Sequence, residues 1–303
     1  MTGLKELSQE LAALVQRGAE HVVRIEERRG APATGVVWSA DGVLVAASHS
    51  IDEDGGVEVG LPGGGTATAE VVGRDLTTDL VVLRAAASGL AAPAFAEPEP
   101  LEPGELVVAL SRPGRSVRAE LGLLARAAGE WRAPAGGRLE RYLELSLPLR
   151  PGFSGSLVLA ADGRPLGLAT AGLLRGVALA VPAPALRRVV KAILAHGRVR
   201  RGYLGLATFP VRLAPPAAEQ AGQEGALLVS AVEPDGPAHR AGVLLGDALL
   251  ELAGQRVESP HDLAPVLEGE RIGDAVAVKV LRAGEPRQLV LTIGARERDG
   301  RRP

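Results

Sequence analysis

Pro151-Gly152-Phe153-Ser154-Gly155 is a Gly-x-Ser-Gly turn, and a histidine and an aspartate precede it in the chain order His49, Asp79, Ser154. A serine hydroxyl is a poor nucleophile until a base takes its proton. That base must be held in the right tautomer, and the oxyanion formed on attack needs backbone donors. Gly152 allows the tight turn that aims the amides of Gly152 and Ser154 at one point, which makes those two the candidate oxyanion hole. Such a turn also occurs in ordinary hairpins. With its two partners in this order, it points to the chemistry of a serine protease, with Ser154 as nucleophile, His49 as base and Asp79 as the group that orients it.

The surroundings of both partners agree. Val43-Leu44-Val45-Ala46-Ala47-Ser48-His49 reads as a buried strand after an Asp41-Gly42 turn, so the imidazole emerges where strand meets loop. Asp79 ends the polar entry Thr77-Thr78 into the apolar run Leu80-Val81-Val82-Leu83, which has the length of a central strand. Taken singly, His49 is a loop histidine and Asp79 a turn aspartate, a common use of that residue. Together with Ser154 they all lie at the edges of strand-like runs.

These residues resemble the HtrA (DegP-like) serine proteases, which join a trypsin-like double barrel to a PDZ domain. The likeness runs from about Val22 to Ile293. It rests on Thr34-Gly35-Val36-Val37 with Asp41-Gly42-Val43-Leu44, on Gly73-Arg74-Asp75-Leu76-Thr77-Thr78-Asp79-Leu80, and on Pro151 to Leu157. Val177-Ala178-Leu179-Ala180-Val181-Pro182 is similar to the strand bordering the specificity pocket, and Arg198 to Gly205 is similar to the join into the PDZ domain. The fold implied is mainly β: a double β-barrel protease domain followed by a C-terminal α+β PDZ domain. The divisions are 1–20, an amino-terminal amphipathic helix; 21–197, the protease domain; 198–296, the PDZ domain; and 297–303, a polar tail.

Composition sets bounds. A chain of 303 residues suits about two domains of roughly 150 residues, and 46% hydrophobic residues with 39 glycines describe a globular, turn-rich protein. A net charge of -2 gives no electrostatic reason to bind nucleic acid or an anionic membrane. The absence of cysteine excludes a disulfide framework and a thiolate metal site, and no metal or cofactor is expected. Leu4, Leu7, Leu11, Leu14 and Val15 repeat at helical spacing up to Gly18. Their interleaved charges offer no secretory core and no stretch approaches a membrane span, so a cytoplasmic location is the expectation for the chain as given.

Up to the linker the pattern is nearly all β. Val36-Val37-Trp38, Val57-Glu58-Val59, Val71-Val72, Leu106 to Leu110, Leu143-Glu144-Leu145 and Leu157-Val158-Leu159 are short apolar runs between Gly and Pro clusters. Gly63-Gly64-Gly65 lacks the Lys-Ser/Thr of a phosphate loop and reads as a hairpin turn. Pro184 to Leu194 is a strong helix that Gly197 stops.

In the second domain, Tyr203-Leu204-Gly205-Leu206 resembles the loop whose backbone amides capture a terminal carboxylate. Ala226 to Val232 resembles the strand beside which a peptide adds by β-augmentation. Ser259 as N-cap and Pro260 open a helix expected to form the other wall of the groove, with Pro265 kinking it.

The resemblance has departures. The family usually carries asparagine at the position of Phe153 and glycine at that of Ser156, and the Thr170 to Val177 connection is shorter. Ala178-Leu179-Ala180 implies a small apolar specificity pocket. The implied activity is endoproteolysis of unfolded or damaged polypeptides, with peptide C-termini bound by the PDZ domain and a homotrimer as the family's common assembly. The competing reading is a catalytically weak protease fold serving as a peptide-binding scaffold or holding chaperone. An α/β-hydrolase esterase fits poorly, since there the serine precedes acid and histidine and helices alternate with strands.

Overall fold

The computed structural model describes residues 2–26, 32–52, 56–95, 100–148 and 150–295. The polar tail expected at 297–303 lies outside them. The chain divides into two compact units, Met1–Val199 and Arg200–Pro303.

The first unit opens with helix α1 (Thr2–Gly18), followed by strands β1 (Val22–Glu26), β2 (Ala33–Val37), β3 (Val43–Ala47), β4 (Gly56–Gly60), β5 (Thr66–Asp75) and β6 (Leu80–Ala85). These six close a barrel in the order β1-β2-β3-β6-β5-β4. Next come β7 (Leu106–Ser111), β8 (Arg118–Ala128), a small hairpin of β9 (Trp131–Arg132) and β10 (Arg138–Leu139), then β11 (Tyr142–Leu145), β12 (Leu157–Ala160), β13 (Pro165–Thr170) and β14 (Ala178–Pro182). A second six-stranded barrel closes as β11-β14-β13-β12-β7-β8. Closure leaves no strand edge for another chain to pair with. The Gly63 to Gly65 turn is the β4–β5 hairpin, closed by Leu61 N–H to Gly65 O at 3.1 Å.

The continuous apolar runs have a physical cause. Val43, Val45 and Ala47 of β3 belong to a cluster shared with Leu110, Leu157 and Leu168 of the second barrel. Leu44 and Ala46 point into the first barrel's own interior beside Val23, Ile25 and Val81. Both faces of the strand are therefore buried, and with roughly 1.5–3 kcal/mol gained per buried Val or Leu, a one-residue slip is resisted from both sides. Helix α2 (Ala183–His196) buries Leu186, Val189, Val190 and Ile193 in the shared cluster and ends at left-handed Gly197. The barrels thus meet along one apolar seam, and the chain ends that leave the strands there carry the chemistry.

The second unit comprises β15 (Gly202–Tyr203), β16 (Leu206–Arg212), α3 (Pro215–Ala221), β17 (Gly225–Val232), α4 (Pro237–Arg240), β18 (Ala248–Leu252), β19 (Gln255–Arg256), β20 (Ala275–Arg282), β21 (Glu285–Thr292) and β22 (Gly294–Ala295). Its main sheet runs β16-β17-β18-β20-β21, with β19 attached to β18 and β15 paired to β22. Leu227, Val229, Leu249, Val278 and Leu291 form its core, and Ala217 of α3 packs on the cluster holding Ala226, Leu250 and Leu281.

Two expectations are corrected here. The strand from Ala226 to Val232 has no free edge, because β17 pairs with β16 on one side and β18 on the other. The edges of this sheet are β16 and β21, and β16, which starts one residue after Gly205, is the one beside the Tyr203 to Leu206 loop. The expected groove helix is only a 3₁₀ turn, Pro260–Leu263. It starts as foreseen: the Asp262 carboxylate accepts the Ser259 amide at 2.7 Å, closing a capping box. Beyond it Pro265 has no amide hydrogen to donate to the next helical turn, and Val266 and Leu267 close local turns on Leu263 instead.

Candidate active site

The aspartate is placed first. The Asp75 carboxylate accepts the hydroxyls of Thr77 and Thr78, both at 2.7 Å, which folds the segment between β5 and β6 into a side-chain-capped turn. At its end Asp79 adopts a left-handed conformation, φ 57°, and is 5% exposed. His49 sits in a 3₁₀ turn, Ser48–Ser50, directly after β3. The two segments are zipped by Ser48 N–H to Asp79 O at 2.9 Å and His49 N–H to Asp79 Oδ1 at 2.9 Å. Arg74 secures the turn from behind, its Nη1 donating to Ile51 O at 2.7 Å and Ser48 O at 3.2 Å.

Asp79 Oδ2 then accepts a hydrogen bond from His49 Nδ1–H at 2.7 Å and another from the Thr170 hydroxyl. With Nδ1 committed as donor, the neutral ring keeps its lone pair on Nε2, the nitrogen required as base. The buried carboxylate has a donor for each oxygen, as a desolvated charge requires. The hydrogen bond to Asp79 raises the pKa of His49 above its ordinary value near 6.5, and partial burial of the ring opposes this without overcoming it. The His49 side chain is 42% exposed, open enough to meet a substrate.

Ser154 comes from the second barrel, in the turn before β12, and is 8% exposed. The turn is closed by Phe153 N–H to Arg150 O at 2.9 Å and Ser156 N–H to Phe153 O at 3.1 Å, and Gly155 N–H donates to Ala169 O at 2.8 Å. Gly155 has φ 91°, and a Cβ there would lie 1.9 Å from the Thr34 carbonyl oxygen, so strand β2 admits only glycine beside the nucleophile. The amides of Gly152 and Ser154 donate to no protein acceptor among the described residues. In the resting state Ser154 Oγ accepts the Ala171 amide at 3.1 Å, and no hydrogen bond joins it to His49.

The two departures at the turn are absorbed by packing. Phe153 is 5% exposed and lies in the second barrel's interior with Leu145, Leu147 and Val158. The Ser156 hydroxyl is buried and donates to Phe153 O, adding a second closure to the turn. Of the three residues expected at the specificity pocket, Ala178 lines a cleft of ≈ 320 Å³ with Glu144 to Pro148, Gly176 and Val177. Leu179 and Ala180 pack into the shared and barrel-interior clusters instead.

Three residues matter here that their types do not announce in the sequence. Thr170 holds Asp79. A Cβ on Gly172 would lie 2.5 Å from both Asp79 Oδ2 and His49 Nδ1, so a glycine is what lets the chain pass over the pair. Thr34, fully buried in β2, donates from Oγ1 to Gly152 O at 3.2 Å. All three depend on chain segments far apart in sequence meeting at the seam.

In the second unit, Tyr203 ends β15, Leu204 is buried, Gly205 has φ 75° and Leu206 opens β16. The carbonyls of Leu204 and Gly205 accept the amides of Ala238 and Glu233, each at 2.8 Å. The amides of Leu204 and Gly205 donate to no protein acceptor among the described residues.

Paired closed barrels with a histidine–aspartate pair from one and a serine turn from the other define a trypsin-like serine peptidase domain, here followed by a peptide-binding type of α+β domain. The comparisons with known proteins agree: residues 33–168 match the trypsin-like peptidase domain family and residues 202–293 the PDZ domain family. Over 293 residues the chain is 27% identical to a serine protease HhoB of Synechocystis, covering 91% of this chain and 70% of that one. A periplasmic serine endoprotease, DegP-like, of Halomonas elongata is 30% identical over 278 residues, covering 89% of this chain and 57% of the relative's length. The solved HtrA-type protease AlgW with tripeptide superposes with a TM-score of 0.73 at 28% identity, covering 95% and 98% of the two chains. The chain thus carries a trypsin-like peptidase domain and a PDZ domain on one polypeptide, an arrangement similar to that of the DegP-like and HtrA-type serine proteases.

Proposed function

We propose that this chain is a serine endopeptidase acting on unfolded or damaged polypeptides, and that its PDZ domain binds their C-termini. The observation that carries the reading is the His49–Asp79 pair facing a serine turn whose two flanking amides are uncommitted. In the reaction, Ser154 Oγ leaves the Ala171 amide and gives its proton to His49 Nε2 as it attacks the substrate carbonyl. The oxyanion takes hydrogen bonds from the amides of Gly152 and Ser154. His49, now a cation stabilised by Asp79, protonates the departing amine, and an acyl group remains on Ser154. Water activated by the same imidazole then frees the acyl group. A hydroxyl turned away at rest accords with this, since catalytic hydrogen bonds often tighten only with substrate present.

Peptide capture follows from the free amides of Leu204 and Gly205 and from the open edge of β16, which supply donors for a terminal carboxylate and a strand for its chain. The scaffold reading rests on Phe153, Ser156 and the short Thr170 to Val177 connection; the turn accommodates the first two without filling the donor site. A homotrimer built through α1 is part of this proposal.

The test is the intact mass after exposure to a fluorophosphonate, with Ser154→Ala as control. Stoichiometric labelling that the control abolishes is the expected result. An unlabelled protein, with unfolded substrate and C-terminal peptides also added, would overturn the reading in favour of the scaffold.

A further inference from the structure

Resting on the acyl-transfer reading above, we propose that Arg118 is a positioning residue for the oxyanion hole, orienting the Gly152 amide by holding the peptide group that contains it. Arg118 opens β8 and its Nη1 donates to the Pro151 carbonyl at 3.3 Å. Two residues further, on the same face of the strand, Glu120 lies 3.5 Å from Arg150 Nε. The outward face of β8 therefore grips the two residues immediately before Gly152.

The consequence follows from peptide geometry. The Pro151 carbonyl and the Gly152 N–H belong to one trans peptide plane and point in opposite directions. A carbonyl held toward Arg118 sends the amide hydrogen to the other side, away from β8. Gly152, at φ 80°, has no side chain to bias that plane, so its orientation must be set from outside. The next carbonyl, that of Gly152 itself, is held from the other barrel by Thr34, whose hydroxyl also accepts the Arg112 amide at 2.9 Å. Two carbonyls bracketing the donor are thus pinned by different strands.

Thr34 is buried and permanent, whereas Arg118 is at the surface. A surface contact of this kind contributes little to global stability. For a peptide plane with two orientations a small bias suffices: a fivefold one is about 1 kcal/mol, the upper end of what an exposed charged contact supplies. Arg118 is therefore placed to set the fraction of molecules with a formed oxyanion hole while leaving the fold unaffected.

The experiment compares the full chain with its Arg118→Ala and Arg118→Lys variants. Losing an oxyanion donor outright costs about 10²–10³-fold in kcat, and losing only the bias that an exposed contact gives its orientation should cost about 5-fold. For Arg118→Ala, KM on a short peptide should stay within about twofold, the fluorophosphonate labelling rate should fall in step with kcat, and the melting temperature should hold. Lysine, a point charge without the planar fork, should recover part of the loss. Unchanged kcat and labelling in Arg118→Ala would overturn the proposal.

The Gly152 amide resonance in ¹⁵N-glycine-labelled protein separates this from failure of the acyl-transfer reading. A Gly152 resonance displaced in Arg118→Ala, but not in a distant Arg287→Ala control, supports the positioning role even if the parent chain does not label. A resonance that stays in place overturns that role whatever the activity.

Discussion

At the scale of single residues, the site depends as much on what is absent from a side chain as on what is present. Gly172→Ala would drive a methyl group against the His49–Asp79 pair, since the added Cβ would lie 2.5 Å from His49 Nδ1. Misplacement by about 1 Å can cost on the order of 10²-fold in rate, so kcat/KM should fall by about that factor while circular dichroism shows a retained fold. Full activity in this variant would mean the pair relocates freely. The raised pKa of His49 gives a second expectation. The base must be neutral, so kcat/KM should rise with pH along an acidic limb centred above the ordinary value of about 6.5. Asp79→Asn should move that limb down and lower kcat by about 10⁴-fold through loss of the correct tautomer. A limb at or below 6.5 in the parent chain would contradict the assignment. The linkage to folding has the opposite sense: His49 binds its proton more tightly when folded, so its stabilisation is complete below its unfolded pKa and is lost as pH rises through the raised folded value. Activity and this share of stability therefore trade against each other between the ordinary imidazole value and the raised one.

At the scale of elements, the strands that read clearly are those buried on both faces. β3, β6, β7 and β12 are continuous apolar runs because each faces a barrel interior on one side and the shared seam or another covered surface on the other. β8 did not stand out, although it is an eleven-residue strand, because most of its side chains are exposed or half-buried and its sequence mixes Arg118, Glu120 and Arg126 with leucine. The PDZ groove shows the same limit. A sequence run identifies a strand but not its neighbours, and only pairing revealed that β17 is interior and β16 is the edge. A C-terminal peptide titrated into ¹⁵N-labelled protein should therefore perturb the amides of Leu204 to Phe209 first, and Gly205→Val should abolish the response. The largest shifts falling in Ala226 to Val232, with β16 silent, would refute augmentation at β16.

At the scale of the whole molecule, each unit carries its own core, and among the described residues no helix is long and apolar enough to cross a membrane. Helix α1 anchors by its second half, where Leu14 is buried and Leu11 and Val15 pack on the shared cluster. Its first turns leave Leu4 77% and Leu7 39% exposed. Apolar side chains on the exposed first half of a helix whose second half is anchored are suited to burial against another copy. Light scattering should give three times the 31.2 kDa chain mass, and Leu4→Glu with Leu7→Glu should return the monomer. A monomeric parent chain at micromolar concentration would remove the trimer from the proposal.

The sequence alone determined the order of His49, Asp79 and Ser154, the glycine chemistry of the nucleophile turn, the helix that closes the first unit and the mainly β architecture. These are local properties, fixed by turn preferences, apolar run length and capping within a few residues. Tertiary structure decided what local pattern cannot hold. It brought Thr170 and Gly172 onto the catalytic pair, set Thr34 on the Gly152 carbonyl and Arg118 on the Pro151 carbonyl, sank Phe153 into a barrel and made β16 a sheet edge. Each of these depends on which strands become neighbours, and that is settled by the summed burial of two closed barrels and a sheet rather than by any one segment.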